Sequence, residues 1–70
     1  MAEITAHITG IIFRIEKQVG DAVTAGDEVI ILESMKMEIP LESPVAGVVK
    51  AILVQEGQPV EEGAVVAVVE

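Results

Sequence analysis

Lys36 stands between Met35 and Met37, with Glu33 and Glu38 further out, in the run Glu33-Ser34-Met35-Lys36-Met37-Glu38. A lysine amine, once deprotonated, attacks an activated acyl group and forms an amide. Acylation removes the positive charge. An exposed lysine is mostly protonated at neutral pH, and neighbouring carboxylates favour the charged form. The segment therefore reads as a substrate for a modifying enzyme and not as a self-sufficient nucleophile. Two methionines beside the amine offer that enzyme flexible, polarizable contacts, and exposed apolar side chains often mark a recognition site. Folding both methionines back onto a core is the competing reading.

Other reactive side chains are sparse. The chain has no cysteine and one histidine, His7. A metal site needs several ligands, so His7 is read as a strand side chain. Ser34 has no evident base partner for nucleophilic catalysis, and no glycine-rich phosphate loop precedes a helix. An independent enzyme is thus the least favoured class.

The net charge of −8 repels phosphate backbones. Phe13 is the only aromatic residue, which leaves no stacking platform for single-stranded nucleic acid. The longest apolar stretch, Ala64 to Val69, is far short of the roughly 20 residues of a spanning helix. No membrane partner is expected. The start Met1-Ala2-Glu3-Ile4 shows no signal-peptide pattern, so the expected setting is the cytoplasm.

The elements that must position Lys36 are legible as a repeat. With Gly10 placed on Gly47, Gly20 falls on Gly57 and Gly26 on Gly63, without a gap. Ile4 then meets Leu41, Ile15 meets Ile52, and Val29 meets Val66. The single domain 1–70 divides into halves 1–33 and 38–70, joined by the hairpin 34–37. Each half has extended segments around a glycine, a Gly- and Asp-rich turn region such as Val19–Asp27, and a closing strand. Valine and isoleucine favour pleated sheet, and Pro40 and Pro44 oppose helix. The expectation is an all-β domain of about eight short strands. Two four-stranded antiparallel sheets would pack as a flattened barrel or sandwich with an internal pseudo-two-fold. A bulge after Gly10 and Gly47 would restore the alternation interrupted at Ile11-Ile12-Phe13 and Val48-Val49. The joint, and Lys36 with it, should protrude at one end, with the termini at the other.

The run around Lys36 resembles the attachment motif of biotinyl domains, the carrier parts of biotin-dependent carboxylases. The turns at Val19–Asp27 and Glu56–Ala64 look like those of the biotinyl/lipoyl fold, and the resemblance extends from Ile4 to Glu70. It implies covalent biotin on Lys36, with Met35 and Met37 read by a biotin protein ligase. It also implies that Glu33 helps the modifying enzymes choose their target. Biotin carboxylase and carboxyltransferase components are the implied partners of a non-catalytic, monomeric carrier. Many family members have alanine where this chain has Ser34, and some carry a thumb loop for which Ile15–Gly20 leaves no room. Without that loop or a Pro- and Ala-rich linker, the chain most resembles stand-alone biotin/lipoyl attachment proteins or a domain cut from a carboxylase. Lipoate on the same lysine is the alternative cofactor. An unmodified β-sandwich interaction module, with Met35 and Met37 as its contact patch, is the alternative of another class.

Overall fold

Branched apolar residues alternate with polar ones over short runs, and the chain forms eight strands and no helix. A computed structural model describes all residues, Met1–Glu70. The strands are β1 (Ala2–Thr5), β2 (Gly10–Ile15), β3 (Ala22–Val23), β4 (Glu28–Ser34), β5 (Met37–Glu42), β6 (Gly47–Ile52), β7 (Pro59–Val60) and β8 (Val65–Val69). They make two antiparallel four-stranded sheets, ordered β1-β8-β6-β3 and β5-β4-β2-β7. Replacing each strand by its repeat equivalent turns one order into the other. Each half therefore contributes strands to both sheets, and neither half forms a sheet alone.

The core obeys the same symmetry. Ile4, Val29, Ile30 and Leu32 are buried, as are their equivalents Leu41, Val66, Ala67 and Val69. Ile12 and Val49 face inward from the middle of each sheet. Fully burying a side chain of this size stabilises the fold by about 1.5–3 kcal/mol. With no disulfide available, this packing must hold together a domain close to the lower size limit. Ser43 is the one buried polar side chain and is the equivalent of Ala6. Its hydroxyl donates to the carbonyl of Val45 at 2.6 Å.

A bulge follows Gly10 and Gly47, three residues on in each strand. Ile12 faces Leu32 and Arg14 faces Ile31, which leaves Phe13 as the extra residue. The equivalent extra residue in the other sheet is Lys50. Gly10 and Gly47 serve a different need. A Cβ on Gly10 would sit 2.5 Å from the Glu33 carbonyl oxygen, and one on Gly47 equally close to that of Glu70. Val29 and Val66 form a second symmetric pair of bulges, turned into the core. His7 also departs from expectation, lying exposed in the bend between β1 and β2 instead of on a strand.

Strand connections place the hairpin. Ala2 faces Val69, and Gly47 lies against Glu70 and pairs with Val23. A short turn then leads from Val23 into the start of β4. The termini gather there, and the β4–β5 hairpin lies a strand length, about 20 Å, away. The molecule measures 31 × 19 × 18 Å. No helix is long and apolar enough to cross a membrane.

Candidate functional site

Six rungs pair β4 with β5, the last being Ser34 opposite Met37. Met35 and Lys36 alone make the turn, with φ of 53° and 64°. A two-residue hairpin loop with both residues left-handed is a type I′ turn, whose twist suits the flanking strands. Asn-Gly is its usual sequence, because side chains with a full Cβ resist positive φ. Holding ordinary residues there costs on the order of 1–3 kcal/mol each. The sequence pattern located the hairpin but gave no sign of this conformation, because methionine and lysine are not turn formers.

Rotation into the left-handed region lifts the side chains off the sheet. Met35 is 86% exposed and Met37 63% exposed. Neither folds back onto the core. Lys36 is exposed between them and takes part in neither of the chain's ion pairs, Arg14–Glu16 and Lys50–Glu70. Lys50 is occupied by Glu70 at 3.9 Å and lies 3.5 Å from the Met1 sulfur. Lys17 is half-buried in the loop after β2. Of the three amines, Lys36 alone sits on a turn tip between exposed apolar side chains.

The hairpin's base is braced. Gly10 passes tightly against Glu33, and the next residue of β2, Ile11, pairs with Glu33. Ser34 joins this brace. Its hydroxyl donates to the Thr9 carbonyl at 2.9 Å, and the Thr9 hydroxyl accepts the Glu62 N–H at 3.3 Å. This link to Thr9 was not visible in sequence, where Ser34 and Thr9 are far apart. Glu33 and Glu38 face each other one rung below Ser34–Met37, both exposed. The structure thus brings Glu33, Met35, Lys36 and Met37 together on one hairpin.

No pocket opens on the surface, and no cluster of His, Cys, Asp or Glu is arranged to hold a metal ion. The hairpin presents an exposed amine with no enclosing cavity.

Residues 1–69 match the family described as "Biotin-requiring enzyme". The biotinylated protein TB7.3 homolog of Mycobacterium leprae is 39% identical over 70 residues, which cover 99% of this chain and 99% of that protein. The dihydrolipoyllysine-residue succinyltransferase component of the 2-oxoglutarate dehydrogenase complex of Staphylococcus saprophyticus is 41% identical over 68 residues, covering 96% of this chain and 16% of that protein. The crystal structure of the Kluyveromyces lactis urea carboxylase superposes with a TM-score of 0.95 at 39% identity. The match covers 99% of this chain and 6% of that one.

Proposed function

From a chain that belongs to the biotin-requiring enzyme family, we propose a biotin carboxyl carrier in which Lys36 is the attachment residue. The observation that carries this reading is the Met35-Lys36 turn, which sets one free amine between two exposed methionines on a braced hairpin. A biotin protein ligase would remove the ammonium proton. The neutral Nζ then attacks the activated carboxyl carbon of biotin, an amide C–N bond forms, the activating group departs with the bonding pair, and the nitrogen gives up a second proton to the ligase or to water. Met35 and Met37 supply the surface that the ligase reads, and Glu33 adds a charge on the hairpin's shoulder.

Bound biotin supplies a carrier for carboxylate, collected at a biotin carboxylase and delivered at a carboxyltransferase. The chain itself provides the rigid base and the outward anchor. Tethering raises the local concentration of the carried group at both sites. The protein acts as a monomer in the cytoplasm, its net charge of −8 opposing self-association.

The test is transfer. Biotinylated protein is incubated with biotin carboxylase, ATP and labelled bicarbonate. Label recovered on the protein, and lost in Lys36→Arg, is the expected result. Label retained by Lys36→Arg would refute the assignment.

A lipoyl carrier on the same lysine is the second reading. A lipoyl-named relative at 41% identity favours it, because overall identity does not then choose between cofactors. The hairpin flanks are the proposed discriminator. Changing Met35→Asp and Met37→Ala should lower biotinylation and raise lipoylation with the fold intact. Both ligases are assayed on both proteins, because specificity is a difference of affinities.

A further inference from the structure

The pseudo-two-fold gives the domain two outer sheet faces of the same backbone design, and their side chains differ. On the β5-β4-β2-β7 sheet, Ile11, Phe13, Ile31 and Pro40 form an apolar band. Ile11 is 48% exposed and Phe13 41%, with the Arg14 guanidinium 5.5 Å above the Phe13 ring. The equivalent positions on the other sheet hold Val48, Lys50, Val68 and Glu3, and Ala51 stands for Arg14, so that face has charge at two positions where this one is apolar.

Carboxylates close the band at both ends. Glu33 faces Glu38 near the hairpin, and Glu28 faces Glu42 at the far end of the same two strands. Like charges directly opposite each other destabilise a sheet. None of the four is in an ion pair; those are Arg14–Glu16 and Lys50–Glu70. On the other face the equivalent residues are Glu70, Met1, Val65 and Thr5. Of those four only Glu70 has a carboxylate side chain, and Lys50 pairs with it.

We propose that this face is the docking surface for the ligase that modifies Lys36. The partner surface it fits has an apolar centre with Lys or Arg side chains at two ends, about 15 Å apart by strand rise. The inference rests on Lys36 being the modified residue. A two-residue turn falls far short of the roughly 800 Å² per partner that a specific interface buries. β4 and β5 continue from the turn directly into this face, which supplies the missing area. A second copy of the chain fits poorly, because it would set carboxylates against carboxylates.

The experiment measures steady-state biotinylation by a biotin protein ligase at varied carrier concentration. The key variant is the double change Glu28→Gln and Glu42→Gln, at the end of the face far from Lys36. KM is expected to rise about tenfold with kcat unchanged and with a weaker salt dependence. Melting temperature should rise at the same time, since a like-charge pair is removed. A merely structural role cannot move the two readouts in these opposed directions. Phe13→Ser should raise KM likewise, whereas Val48→Thr on the other face should leave it unchanged.

An unchanged KM in the Glu28/Glu42 variant, with the parent biotinylated, overturns the docking proposal alone. A parent that the ligase leaves unmodified overturns the carrier reading with it. Parent self-association that Phe13→Ser abolishes would assign the face to a second copy and also overturn the proposal.

Discussion

The Ser34 hydroxyl donates to the Thr9 carbonyl across 2.9 Å, tying the hairpin's shoulder to the β1–β2 connection. The acceptor is a main-chain carbonyl, so the Thr9 side chain is not used in this bond; its hydroxyl instead accepts the Glu62 N–H. The bond fixes the last residue of β4 to the segment before β2, at the base of the turn that carries Lys36.

Ser34→Ala should keep the fold and lower stability by about 0.5–1.5 kcal/mol, the net worth of one hydrogen bond. Amide hydrogen exchange near Met37 should quicken more than exchange in the core strands. A uniform change throughout the chain would show that the bond is not a local brace.

Met35 carries a φ of 53°, a conformation asparagine tolerates better than methionine. Met35→Asn should raise stability by up to about 1 kcal/mol and slow modification of Lys36, because the apolar flank is lost. Thermal melts and a ligase assay on the same sample read the two effects. Lower stability together with unaltered modification would contradict both the strain and the recognition role.

Asp27 gives the stability profile a pH dependence. Its carboxylate accepts the Thr24 N–H at 2.9 Å. That bond first, then the Thr24 side chain and the charge of Lys17, holds its pKa below the ordinary 3.8. The folded state thus favours the ionised form. Its stabilisation is complete above the ordinary value and is lost as pH falls through the lowered one. Urea midpoints should drop on acidification below about pH 4, and Asp27→Asn should reduce that drop. An identical acid profile in the variant would remove Asp27 as a contributor.

The two-sheet fold was legible because its signals are periodic. Gly10 on Gly47 and Ile4 on Leu41 reported the pseudo-two-fold, and β-branched runs reported strands. The strand exchange between halves was not legible, since pairing partners are set by long-range packing that one-dimensional patterns do not encode. The exact bulge residues, Phe13 and Lys50, were hidden for a related reason. Gly10 looked like a bulge glycine, yet it is glycine because the Glu33 carbonyl leaves no room for a Cβ. Around Lys36, residue types revealed the hairpin and its exposed methionines. The left-handed turn and the Ser34–Thr9 bond depend on backbone geometry and remained hidden.

The most direct measurement is the intact mass of the protein from its native host, followed by mapping of the modified peptide. A single biotinyl adduct on Lys36, with Lys17 and Lys50 unmodified, is the result this account expects. A lipoyl adduct, or an adduct on either other lysine, would contradict it.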